Sequence, residues 1–135
     1  MSAQSALRDG NSADFELIEI EGGSTASVLN TALVERRYPA GEGGDTVVEF
    51  LIDSAKFHQV FAADVSEEDA ADMAATQRAV SSLGFSEPNG PPAWRSLPSW
   101  AVVSTGDTAA GADVVRRMAQ RAGAVITEAE GSHVL

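Results

Sequence analysis

The stretch WAVVSTGDTAAGADVVRRMAQRAGAVITEAEGSHVL, residues 100–135, carries the pattern from which the fold is read. Its opening run, WAVVST (100–105), is short, apolar and rich in valine, the composition of a strand buried on both faces. Gly106 and Asp107 end that run, and Asp113 opens a helical stretch, VVRRMAQRA. Gly123 follows where a residue of left-handed conformation commonly closes a helix. AVITEAE (124–130) then reads as a second strand that runs into the loop Gly131-Ser132-His133. Two strands joined by one helical crossover lie parallel, so their carboxyl ends meet at one edge of the sheet. Asp107 and His133 each sit just past such an end, which is where open α/β sheets hold their ligands. The expected class is α/β, and the two side chains are expected within a direct hydrogen bond of about 3 Å or one bridging water.

Upstream, the chain is punctuated by Pro88, Pro91, Pro92 and Pro98 with Gly84 and Gly90, so residues 81–99 are expected to form an extended connector anchored by Trp94 and Trp100. Ser66 and Asp69 have the spacing of a capping box, with Asp in place of the usual Glu, and Ala70, Met73, Ala74 and Gln77 continue a helix of about three turns. TVVEFLI (46–52) has strand composition, and Asp53 and Ser54 are capping types that turn the chain into a short helix through AKFHQVF. Nearer the start, FELIEIE (15–21) alternates apolar and acidic residues as a half-exposed strand does, and Gly22-Gly23 stops it. Ser24 is expected to cap a helix with Val28, Leu29, Ala32 and Leu33 on one face, ended by Pro39 and the AGEGGD loop. Residues 1–14 read as a frayed start.

Composition bounds the function. The 135 residues suit one ordinary domain, and 20 acidic against 9 basic residues give a net charge of -11, which repels phosphate backbones and anionic lipid. Nucleic acid is therefore excluded as a partner. The absence of cysteine removes disulfides, thiolate metal sites and Cys nucleophiles together. The sequence begins without the basic and apolar regions of a secretory signal, and no apolar run approaches the roughly 20 residues of a membrane span, so a cytoplasmic protein without membrane contact is expected.

The segments PPAWRSLPSWAVVSTGDTAAG, RRMAQRAGA and GSHVL resemble the C-terminal part of small esterase-like members of the α/β-hydrolase superfamily. There a Pro-(Ser/Thr)-Trp strand leads to the loop of the triad acid, and a Gly-Ser-His loop holds the triad base. FHQVFAADVSEEDAADMAATQRAV is similar to the helical lid of that family, with its following Gln-Arg segment. The resemblance covers about residues 38–135 and is strongest from Pro91 onward. It implies a single partial α/β-hydrolase domain with a poorly matching segment at 1–45, a lid-like region at 46–90 and a parallel βαβ unit at 91–135. It also implies ester hydrolysis by a Ser-His-Asp mechanism without cofactor or metal, with Asp107 as acid and His133 as base.

The serine of that mechanism belongs in a Gly-x-Ser-x-Gly elbow, and no such pentapeptide occurs in this sequence. Gly22-Gly23-Ser24-Thr25-Ala26 is the nearest imitation, but Glu16, Glu19 and Glu21 would line the strand before it with carboxylates, whereas an elbow strand is central and apolar. Ser24 is accordingly assigned to helix capping. The family also continues beyond the His loop with a helix, so the reading is of a fragment, with a small-molecule ester as its substrate once completed. Its uncovered sheet edge is expected to invite self-association. Taken singly, Asp107 is an ordinary turn aspartate and His133 a terminal surface histidine; their placement at one edge is what joins them. His58, between Phe57 and Phe61, is assigned to packing or solvent contact. The acidic group Glu67, Glu68, Asp69 and Asp72 lacks the register of a calcium loop and is assigned to a solvated face. Trp94 and Trp100 are assigned to packing. The competing reading is a non-catalytic remnant, a small acidic binding or assembly module.

Overall fold

The computed structural model describes residues 28–135 apart from 42, 43, 87 and 89. The strand expected at 15–21 and the Ser24 cap lie outside the described residues. The chain divides into two compact units, one of Leu29–Glu87 and one that holds Pro88–Leu135 together with Val28.

In the first unit a 3-10 turn, Leu29–Ala32, leads into β1 (Leu33–Pro39), which pairs antiparallel with β2 (Thr46–Ile52) from Leu33↔Ile52 to Pro39↔Thr46. β3 (Val80–Ser81) adds to the other side of β2 through Glu49↔Ser81 and Phe50↔Val80. The helix expected through Leu33 toward Pro39 is therefore a strand. The apolar spacing of Val28, Leu29, Ala32 and Leu33 suits a helix face, yet the residues that follow find partners across a ladder: Arg36 stands opposite Glu49 and bonds it at 2.9 Å. Cross-strand pairing of this kind overrides a weak local preference.

Two helices complete the unit. The Asp53 side chain accepts the Ala55 amide at 2.9 Å and so caps α1 (Ser54–Phe61), which buries Phe57 and Val60. Large apolar side chains removed from water in this way contribute about 1.5–3 kcal/mol each. Ser66 caps α2 (Glu67–Thr76) by accepting the Asp69 amide at 3.0 Å, and its hydroxyl donates to Asp69 Oδ2 at 2.6 Å. The Asp side chain, one methylene shorter than Glu, meets the Ser66 hydroxyl rather than the Ser66 amide that a capping box would use. Ala70 and Ala74 are the buried positions of α2. Gln77 then ties the end of this helix to the end of β2: its Oε1 accepts the Ile52 amide at 2.9 Å and its Nε2 donates to the Ile52 carbonyl at 2.8 Å. A side-chain amide thus takes the place of a neighbouring strand at the last residue of β2.

The stretch expected as an extended connector is more structured than its prolines suggest. Ser81 belongs to β3, one helical turn, α3 (Leu83–Ser86), follows it, and a 3-10 turn at Ala93–Arg95 follows Pro92. Pro92 sits in extended conformation as the N-cap of that turn, where a missing amide costs no hydrogen bond. Trp94 is half-buried there, its ring 5.6 Å from the guanidinium of Arg95 and 5.8 Å from that of Arg121.

The second unit is the strand, helix and strand of residues 100–135. β4 (Trp100–Ser104) and β5 (Val125–Ala129) are parallel, in register from Trp100↔Val125 to Ser104↔Ala129. Between them runs α4 (Ala112–Arg121), with Gly111 rather than Asp113 at its N-cap. It ends in a Schellman motif: Ala124 N–H donates to Ala119 O, Gly123 N–H donates to Gln120 O, and Gly123 holds φ at +64°. Val114, Met118 and Ala119 of α4 are buried, as is Val103 of β4. Arg116 bonds Glu128 of β5 at 2.6 Å.

One expectation for this unit fails. β4 is buried on one face only: Val103 is fully buried, while Trp100 is 74% exposed and Val102 61% exposed. Trp100 therefore neither packs in a core nor anchors the connector. An unbroken apolar run does not say how many of its faces are covered, and here α4 covers one. No helix among the described residues is long and apolar enough to cross a membrane.

Candidate active site

The loop that leaves β4 and the loop that leaves β5 are laced together by backbone. Thr105 N–H donates to Ala129 O at 2.9 Å, and Gly106 N–H donates to Gly131 O at 3.0 Å, so backbone bonds hold the two loops together beyond the end of the ladder at Ser104. The approach at Gly106 leaves no room for a side chain: a Cβ there would stand 2.6 Å from the Gly131 carbonyl oxygen. Ser104 Oγ donates to the same oxygen at 2.5 Å.

Asp107 follows directly and turns back on its own backbone. Its amide donates to Ser104 O at 3.3 Å and its carbonyl accepts the Ala112 amide at 3.0 Å, which leads the chain into α4. The side chain is 6% exposed. Oδ1 accepts the Ala110 amide at 2.9 Å, and Oδ2 stands 2.9 Å from His133 Nδ1. A carboxylate only accepts, so Nδ1 carries the proton and donates it.

The two residues placed at one edge by sequence pattern are thus in direct contact, 26 positions apart along the chain. Burial by itself would raise the Asp107 carboxyl. The hydrogen bond from His133, those from the Ala110 and Ala109 amides and the attraction of the imidazole ring outweigh it, and hold the carboxyl below its ordinary value. The group stays ionised at neutral pH.

A concavity of about 120 Å³ opens beside the pair, lined by Val102, Ser104, Ala110, Val115 and Leu135 as well as by Asp107 and His133. A buried carboxylate that holds Nδ1–H turns Nε2 into the nitrogen available for proton transfer and stabilises the imidazolium when it forms. That is the chemistry this arrangement can perform.

His58 lies in the other unit, where its ring Nε2 is 3.0 Å from Val65 O and so closes the turn between α1 and α2. Ser24 lies outside the described residues. The sequence assigns no site role to Ser104, Gly106, Ala110 or Gly131. Gly106, in a Gly-Asp turn directly after a strand, and Gly131, in the Gly-Ser-His loop, are marked by their motifs; the donors from Ser104 and Ala110 emerge only once the loops are folded.

No protein-family model matches the chain and no curated protein matches it significantly. A solved structure does: a crystal structure of polyneuridine aldehyde esterase is similar with a TM-score of 0.65 at 13% identity, over 90% of this chain and 48% of that one. The chain spans about half the length of the enzyme it matches. Identity that low speaks for the fold alone, and on this likeness the chain has part of an α/β-hydrolase fold.

Proposed function

We propose that this chain supplies the acid and the base of a Ser-His-Asp hydrolase acting on small or medium-sized esters, with Asp107 as acid and His133 as base. The observation that carries the reading is the 2.9 Å hydrogen bond from His133 Nδ1 to the buried Asp107 carboxylate at the carboxyl edge of two parallel strands. The fold of the esterase it resembles supports it. In this reading His133 Nε2 takes the proton of a serine hydroxyl as that oxygen attacks the ester carbonyl, then delivers it to the departing alkoxide. The same two steps with water as nucleophile release the acid. Asp107 keeps the imidazole in the required tautomer and stabilises its charged form. No metal or cofactor is needed. Residues 46–90 are assigned as a lid-like region on their sequence resemblance, and the protein to the cytoplasm.

The serine is the missing member, since the sequence contains no Gly-x-Ser-x-Gly elbow. The test begins with the coding sequence upstream, translated in all phases. A Gly-x-Ser-x-Gly after an apolar strand, whose polypeptide co-expressed with this chain hydrolyses p-nitrophenyl acetate in a manner abolished by His133→Ala, supports the proposal. Co-expression that yields a folded complex without such turnover overturns it.

A second reading, a non-catalytic module that assembles with itself, is favoured by a different observation. Trp100, Val102 and Val125 form an exposed apolar strip across β4 and β5, the kind of surface that soluble monomers keep small.

A further inference from the structure

We propose that Ser104 is a positioning residue for the Asp107–His133 pair, acting through the carbonyl of Gly131. The proposal rests on the reading of that pair as an acid and a base. Ser104 is the last residue of β4 and lies three positions before Asp107; Gly131 lies two positions before His133. The Ser104 hydroxyl donates to Gly131 O, and the same oxygen accepts the Gly106 amide at 3.0 Å. Thr105 N–H, bonded to Ala129 O, ties the loops at their base, and a single donor to Gly131 O would leave that peptide free to tilt about its one bond. Two donors converging on one carbonyl fix its direction as well, and the direction of that peptide determines where the next residues carry the imidazole.

Ser104 also faces the concavity beside His133, a place where a serine invites reading as a nucleophile. Its hydroxyl proton is directed to a backbone carbonyl instead. A nucleophile gives its proton to the base, and a carbonyl oxygen cannot take it. The hydroxyl is thereby committed to holding the loop.

Removing the hydroxyl leaves Gly131 O with its Gly106 donor, so no buried carbonyl is orphaned and Ser104→Ala is expected to fold. The experiment follows the Nδ1–H proton of His133 by NMR in the full chain, with His58, the other histidine, as internal reference. The unsubstituted chain is expected to show a far-downfield, slowly exchanging Nδ1–H that disappears in Asp107→Asn. In Ser104→Ala its exchange with water should quicken by roughly five- to tenfold, the factor that one net hydrogen bond is worth in a local opening equilibrium. Ser104→Thr, which keeps the hydroxyl, should restore the slow exchange, and the His58 signals should stay in place throughout. A Ser104→Ala proton that exchanges as slowly as the original overturns the proposal and leaves the pair standing. An unsubstituted chain with no Asp107-dependent downfield proton overturns the pair and the proposal together. Covalent labelling of Ser104 by a fluorophosphonate would show it to be a nucleophile and would likewise overturn the positioning role.

Discussion

Gly106 lies so near Gly131 that a single added carbon would stand 2.6 Å from the Gly131 carbonyl oxygen. The obstacle is a backbone carbonyl held by the Gly106 amide and the Ser104 hydroxyl, which cannot step aside as the tip of a flexible side chain can. Gly106→Ala is expected to destabilise the chain by about 1–3 kcal/mol, the usual penalty for forcing a methyl group into filled space. Urea unfolding measures it. A midpoint unchanged from that of the original chain would mean that the two loops separate at little cost.

The Asp107 carboxyl, held below its ordinary value, gives stability a definite dependence on pH. Above about pH 4 the carboxyl is ionised in both the folded and the unfolded chain, and its native hydrogen bonds contribute in full. As pH falls further the unfolded chain takes up the proton first, so the contribution shrinks, and it is lost once the folded carboxyl is protonated as well. The stability difference between the chain and Asp107→Asn, measured by urea unfolding, should therefore narrow between pH 6 and pH 3. A difference that stays constant over that range would show that the charge of the carboxylate is not what the site holds.

Hydrolysis offers a third test. The proposed mechanism draws its serine from an elbow that this sequence lacks, so the purified chain should hydrolyse p-nitrophenyl acetate no faster than its His133→Ala variant. Turnover well above buffer that the substitution removes would place a nucleophile within these 135 residues.

The exposed strip on β4 and β5 leads to a fourth. Trp100, 74% exposed, is the largest side chain on it, and Trp100→Glu should shift sedimentation toward the monomer with little loss of stability, because so little of the ring is buried. Added salt should strengthen association of the original chain by screening its charge of -11. Sedimentation as a monomer at every concentration would remove assembly through this face.

Much of this was legible in advance because the signals were local. Asp53 and Ser66 each cap the helix they precede, and Gly123 closes the helix it follows, since capping depends on residues within one turn. The parallel order of β4 and β5 followed from the length of the crossover. What escaped depended on partners distant in sequence. β1 becomes a strand because β2 lies beside it, and no spacing within residues 33–39 announces that neighbour. The exposure of Trp100 depends on what covers the sheet, which an apolar run cannot specify. In the site, Asp107 and His133 were marked by residue type, whereas the donors that hold them, the Ala110 amide and the Ser104 hydroxyl, are ordinary groups that acquire a role only through position.

Every hydrogen bond described here that aligns the aspartate with the histidine arises within Pro88–Leu135. The bonds that set the geometry of the pair are therefore neighbours in the sequence as well as in space, and a single short stretch of gene, that for residues 88–135, encodes all of them.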